Sequence, residues 1–435
     1  MKVLWICRFT NARVREKLDL SPRFWETVLR SLFNKPLPER DDYGAWITNA
    51  IEEFEKFEGL ELHLVAPHTG MARRRAYFQM EGVHYHFFKP DDDALWRRVR
   101  KLFTSSVQSR HKGNRKAIRK VVEEVQPDLI HMYGAENPPY SLAALDLDTE
   151  RFPLMVSLQT LLNRPGFRDN YLISAQNFRF RAGVEQEILK RAKYIGATPA
   201  ATRNYVWAEL NPQALFFPSF LALEQKVERC ACDKRYDFVF FAVSIEKLGD
   251  VAVEAFALAC KKHPRLTLNI VGGTPEPFTG RLKERIRELG LEKQVIFSGK
   301  LPEHKDVLRQ IQFSKFALLP LKVDLISGTI REAIYAGLPV VTMKTQGTPL
   351  LNEKRRSVLI SEQNDLQGLA DNMCRLLESP ALVKELRENA LITLKERYSN
   401  ARSMQQLIEV YRAIMAHHSK QTPLPPEMGA QNPNI

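Results

Sequence analysis

Short apolar runs alternate with longer stretches of helical periodicity along almost the whole chain. In the first half the runs are "KVLWIC" (2–7), "LELHLVAP" (60–67), "GVHYHFF" (82–88), "DLIHMYG" (128–134), "PLMVSLQ" (153–159) and "YIGAT" (194–198). They are rich in β-branched and aromatic residues and bounded by turn formers, which predicts strands. Between them, 45–57, 114–125 and 184–192 space apolar residues three and four apart, the mark of an amphipathic helix. The second half repeats the scheme, with strands expected at 236–244, 266–273, 294–300, 315–320, 339–344 and 357–361. Helices are expected there at 250–263, 277–290 and 329–337. Such alternation predicts βαβ units and mainly parallel sheets. At 435 residues the chain has room for two domains, taking about 150 residues for each.

The expected organisation is a first α/β domain at 1–210, a connection at 211–235, and a second α/β domain at 236–395. A helix at 396–418 is expected to pack back towards the first domain, and a Pro- and Asn-rich tail at 419–435 to be disordered. The connection carries Pro212, Pro218 and the mixed-charge run "EQKVERCACDKR". In doubly wound sheets ligands bind beyond the carboxyl ends of the strands. Two such domains facing one another place the expected site in an interdomain cleft.

Composition, 44% hydrophobic and 26% charged, is that of an ordinary protein with sizeable cores, but the net charge is +13. An anionic partner follows: nucleic acid, acidic lipid or a phosphorylated substrate. Cys7, Cys230, Cys232, Cys260 and Cys374 are scattered, and the odd count suits free thiols in a reducing compartment. No apolar stretch reaches transmembrane length, and the apolar start is too short for a signal peptide. The expected location is the cytoplasm, or the cytoplasmic face of the inner membrane. Cys230-Ala-Cys232 reads as part of the connection, since no second pair completes a metal site. His84 and His86 share one face of a strand, but two ligands without a third are a weak metal signal, and no metal is expected.

From Arg97 to Lys120 there are ten Lys/Arg and no Asp/Glu. Such a run is usually a solvated face. Here Trp96 and Phe103 stand beside Arg97, Arg98, Arg100 and Lys101, which suits docking on an anionic bilayer. Nucleic acid is the weaker reading, because few aromatic residues interleave with the charges.

The stretch most suggestive of chemistry is "DLISGTIREAIYAGLPVV" (324–341). A strand runs out to Asp324, Ser327-Gly328 turns, and Thr329 opens a helix whose free N–H groups suit a phosphate. Gly328 lets a diphosphate approach the backbone, and Glu332 can accept ribose hydroxyls. Taken alone, Thr329 and Glu332 read first as a structural capping pair.

Context changes that weighting. Asp324-x7-Glu332 followed by "AIYAGLPVV" resembles the nucleotide-sugar signature of family-4-like retaining GT-B glycosyltransferases. "LTLNIVGGTPE", "QVIFSGKLPEHKDVLRQIQFSKFALLP" and "TQGTPLLNEKRRSVLI" follow the family's order, so the resemblance covers about 235–395. Asp324 stands where glutamate is commoner, and Val243-Ser244 where an arginine is usual. In the first half, "QPDLIHMYGAENPPYSLAAL" resembles a family strand and loop, and Gln159 occupies the place of the usual histidine. The arginines of "NFRFRAGVEQEILKRA" and Glu185 are expected to face the cleft.

The resemblance implies a GT-B fold of two doubly wound Rossmann-like domains. It implies a retaining, metal-independent enzyme that moves a sugar from a nucleoside-diphosphate-sugar donor to a glycan or lipid-linked acceptor hydroxyl. It assigns transfer to Lys247, Asp324 and Gln159, and donor binding to Glu332, Gly328, Thr329, Ser327, Ser244 and Gly272. No further cofactor is implied. The alternative is an inactive GT-B scaffold that binds membrane or another anionic partner through its basic first domain. An epimerase on the same fold would need an acid/base pair that the sequence does not offer.

Overall fold

The computed structural model describes residues 1–20, 43–91, 110–164, 174–197, 200–222, 224, 227–241, 248–273, 278–322, 328–345, 347–420, 422–425 and 429–433. The chain divides into two compact units. One comprises Met1–Asp169, Ile173–Ala222 and Asn400–Ile435, and the other Asn170–Leu172 and Leu223–Ser399.

The first unit is built on β1 (Lys2–Ile6), β2 (Glu61–Pro67), β3 (Arg75–Met80), β4 (Val83–Phe88), β5 (Leu129–Tyr133), β6 (Leu154–Ser157), β7 (Tyr194–Gly196) and β8 (Leu215–Phe217). Their order in the sheet is β3-β4-β2-β1-β5-β6-β7-β8, parallel except for the antiparallel pair β3 and β4. Helices cover both faces, so the central strands are apolar throughout rather than alternating. Period-two geometry then sorts their side chains. Val3 and Trp5 enter one core with Leu64, Tyr85 and Tyr411, while Leu4 and Ile6 enter the other with Val65, Ile118 and Ile130.

The second unit holds β9 (Tyr236–Phe241), β10 (Leu268–Val271), β11 (Val295–Gly299), β12 (Ser314–Leu319), β13 (Val340–Met343) and β14 (Leu359–Ser361), all parallel, in the order β11-β10-β9-β12-β13-β14. Helices Gly249–Lys262 and Leu366–Glu378 pack on this sheet through Ala252, Phe256, Leu369 and Met373, all buried. The two-sheet α/β architecture agrees with the alternation read from the sequence.

Three expectations change. Residues 211–235 are not simply a connection: Leu215–Phe217 forms β8, paired parallel to β7 through Tyr194↔Leu215. A three-residue strand is too short to show a period. In the tail, Ala430 and Phe216 exchange backbone hydrogen bonds of 2.7 and 2.9 Å, and Leu424 is buried. Cys230 and Cys232 are joined in a disulfide, leaving Cys7, Cys260 and Cys374 free and buried. The helix Asn400–Lys420 belongs to the first unit, where the Tyr411 hydroxyl accepts the Trp5 Nε1–H at 3.0 Å. Among the described residues no helix is long and apolar enough to cross a membrane.

Candidate functional sites at the carboxyl ends of the two sheets

In the second sheet successive strands run outward from β9 through β10 to β11, then return to β9's other side as β12. The junction of β9 and β12, paired through Val239↔Ala317, is therefore the topological switch point, where such sheets open a crevice. The chain leaves β12 towards the helix Gly328–Tyr335, whose first residue is Gly328. Thr329 is buried in its first turn. One turn on, the Glu332 carboxylate lies 3.4 Å from His304 Nε2, and its side chain is only 12% exposed. His304 opens the helix His304–Ile311, which Glu303 and Asp306 close at its start with a reciprocal capping box. Gly272 follows β10 directly, and its N–H donates to the Gly299 carbonyl at 2.9 Å, linking the ends of β10 and β11.

A helix start, a buried hydroxyl and a held carboxylate in one place suit a phosphorylated ligand that also carries hydroxyl donors. Gly272, Gly328, Thr329 and Glu332 all sit at this end of the sheet. Lys247, Ser244, Asp324 and Ser327 lie outside the described residues, as do Trp96, Arg97, Arg98, Arg100, Lys101 and Phe103. His304 escapes a reading of the sequence because nothing in the sequence ties it to Glu332.

The first sheet has its switch point between β1 and β5, paired through Ile6↔Met132. Beyond β1 comes Arg8, its guanidinium 4.1 Å above the Tyr43 ring. Beyond β5 comes Gly134-Ala135-Glu136-Asn137. Glu136 is 3% exposed. One of its oxygens accepts from Asn137 Nδ2 at 2.8 Å, whereas Oε2 is buried without a hydrogen-bond partner. Burial raises the Glu136 pKa, against the opposing pull of Arg181. Arg181 donates to the Glu136 carbonyl at 2.8 Å and to Asn137 Oδ1 at 3.3 Å. A buried carboxylate oxygen without a partner costs stability, and a ligand donor reaching this switch point can satisfy it. The sequence reading did not single out Glu136.

Gln159 is exposed two residues past β6. Glu185 does not face an open site. It is fully buried and accepts the N–H groups of Leu162 and Asn163 at 3.0 and 3.1 Å, with Asn163 Nδ2 at 2.9 Å. It thereby clamps the loop that carries Gln159. Burial pushes its pKa up to about 7, although these hydrogen bonds oppose the rise.

Comparison with known proteins agrees with this geometry. Residues 233–392 match the family described as glycosyl transferases group 1. Among curated proteins, N-acetyl-alpha-D-glucosaminyl L-malate synthase of Bacillus anthracis is 24% identical over 172 residues, 39% of this chain and 43% of that protein. The chain thus matches less than half the length of that relative. Sucrose-phosphate synthase (tll1590) from Thermosynechococcus elongatus aligns over 96% of this chain and all of its own, with a TM-score of 0.66 at 15% identity. Anabaena Alr3699/HepE, solved in complex with UDP-glucose, covers 95% of this chain and 99% of its own, with a TM-score of 0.61 at 16% identity. With its two parallel-sheet units and these near-full-length structural alignments, the chain has the GT-B fold, and residues 233–392 within it match the glycosyl transferases group 1 family.

Proposed function

We propose that this protein is a retaining glycosyltransferase that moves a sugar from a nucleoside-diphosphate-sugar to an acceptor hydroxyl, without a metal ion. The observation that carries the reading is the helix Gly328–Tyr335 with Glu332 at the β9–β12 switch point of a unit that matches the glycosyl transferases group 1 family. Support comes from HepE, solved with UDP-glucose, and from a relative named as an N-acetylglucosaminyl L-malate synthase.

In this reading the ribose hydroxyls donate to Glu332, oriented by His304. The diphosphate lies against the amides of Gly328 and Thr329, with Ser327, Ser244 and Gly272 around the nucleotide. Lys247 neutralises the charge that develops on the leaving diphosphate, and stabilising developing charge is commonly the largest catalytic contribution. Asp324 and Gln159 hold sugar hydroxyls. The acceptor is taken by the first unit, where Glu136 Oε2 has a free lone pair for a hydroxyl or cationic donor. The basic stretch with Trp96, Arg97, Arg98, Arg100, Lys101 and Phe103 suits a lipid-linked acceptor presented at an anionic membrane.

The test is thermal stability of the full chain against UDP, GDP, ADP, CMP and dTDP, with Glu332→Ala beside the wild type. A nucleotide at about 100 times its Kd adds ~2.7 kcal/mol, read as a rise in Tm of several degrees. A rise with one nucleotide that disappears in Glu332→Ala supports the reading and names the donor class. No rise with any nucleotide overturns it in favour of a scaffold.

A further inference from the structure

At the amino end of the first sheet, opposite the ends that carry the candidate sites, three side chains with metal-binding chemistry converge. The parallel register sets His63 of β2 directly beside His84 of β4. Glu61, two residues before His63, shares its face. Their ligand atoms lie within 4.8 Å of one another. We propose that Glu61, His63 and His84 form a binding site for one divalent transition ion of the zinc class, with water completing its coordination.

Two imidazoles and one carboxylate are a ligand set that zinc takes when a fourth position stays open to water. The surroundings favour this reading over a chance cluster. A ligating histidine normally has its second ring nitrogen held by a hydrogen-bond acceptor, which fixes the tautomer. Both rings have such a partner here. His63 Nδ1 is 3.1 Å from His86 Nε2, and His84 Nδ1 is 2.9 Å from the Tyr77 hydroxyl. Nε2 of His84 is left for the ion, and Nε2 of His63 becomes available once its contact with Glu61 is released.

Two features limit the affinity. His63 Nε2 already bonds Glu61 Oε1 at 2.8 Å, and Lys2 Nζ lies 3.5 Å from the same oxygen. An ion must displace that shared proton and turn Lys2 away, for which the Val125 carbonyl at 3.2 Å is a ready partner. The His63 and His84 rings are stacked 4.4 Å apart, so their lone pairs run side by side. Capture therefore needs the half-buried His84 ring to tilt at its Nε2 edge while Nδ1 keeps its contact with the Tyr77 hydroxyl. An ion here ties β2 to β4 and takes no part in sugar transfer, so the proposal stands independently of the proposed function.

The test is calorimetric titration of the chelator-stripped full chain with ZnCl2, alongside visible absorption with Co²⁺. One equivalent should bind with a Kd of micromolar or below, and Co²⁺ should give the intense bands of a four-coordinate site. His84→Ala should weaken binding by at least about tenfold. Tyr77→Phe, at a 60% exposed surface residue that never touches the ion, should weaken it by about 10- to 100-fold. His418→Ala, on the helix Asn400–Lys420, should leave it unchanged. The proposal is overturned if no stoichiometric binding occurs, or if binding survives both His84→Ala and Tyr77→Phe undiminished.

Discussion

The two switch points of this molecule are built by opposite means. In the second unit the site is a helix start with small residues and one carboxylate, gathered within Gly328 to Glu332 and completed by His304. In the first unit the site is polar groups buried at a cost. Glu136 has an unpaired oxygen, Arg181 is anchored to the Glu136 backbone, and Glu185 is sunk beneath the loop of Gln159. Under the proposed function, the difference follows from what each site recognises. A diphosphate and a ribose are the same in every donor, so backbone amides and one acid suffice. An acceptor is individual, and discrimination comes from placed polar groups that are costly when left unpaired.

The largest test of this contrast is Glu136→Gln. If Glu136 meets the acceptor, kcat/KM for transfer should fall by about 10²-fold or more, the size expected when one well-placed polar contact is lost. Transfer would be measured with the donor selected by the nucleotide screen and an acceptor pool extracted from the producing cells. The nucleotide-induced rise in Tm should be unchanged, and the variant's own Tm should hold or increase, because a buried, partly unpaired carboxylate is removed. A variant that transfers normally would reduce Glu136 to a structural group and erase the contrast.

Much of the second site was legible because its residues are contiguous. A strand, a turn of small residues and a helix start with an acid three positions in are local features that sequence displays directly. The first site was not. Arg181 reaches Glu136 across 45 positions, and that proximity exists only once β5 and the helix Ala175–Leu189 are packed. Glu185 carried the right chemistry but the wrong exposure, since a helical period cannot say whether an acid inside it meets solvent or a loop. Edge strand β3 was missed because its side chains alternate around a half-exposed face beside a run of arginines. The pairing of His63 with His84 depended on parallel register, which no single strand reveals.

A middle-sized test uses pH. Burial lifts the Glu185 pKa to about 7 from an ordinary 4.5. Between those values the folded chain holds this proton more often than the unfolded chain does. The group's contribution to stability is therefore full below pH 4.5 and declines as pH rises through 7. At about 1.4 kcal/mol per pH unit the decline is at most ~3 kcal/mol. Urea denaturation across this range should show wild type losing stability relative to Glu185→Gln as pH rises, since glutamine does not titrate. Parallel pH profiles for the two proteins would mean that the clamp on the Gln159 loop is already ionised at low pH.

The smallest effect separates a glycine that shapes a site from one that touches it. Gly337 ends the helix Gly328–Tyr335 with φ +82°, and its N–H donates to the Ile334 carbonyl at 2.9 Å. An added methyl would lie 3.7 Å or more from Arg229, an ordinary contact. Gly337→Ala should therefore cost only the left-handed backbone, ~1–2 kcal/mol, seen as a fall in Tm of a few degrees with nucleotide binding intact. Gly134 in the first unit has φ +89°, so Gly134→Ala carries the same backbone cost. Its methyl, however, would sit 3.0 Å from Asn137 Nδ2 and 3.1 Å from both Glu136 oxygens. Those atoms must shift, so this variant should lose transfer as well as stability. If the two alanines behaved alike, with stability reduced and transfer untouched, the Glu136 carboxylate would be free to move without consequence, and the acceptor would have to be sought elsewhere on the first unit.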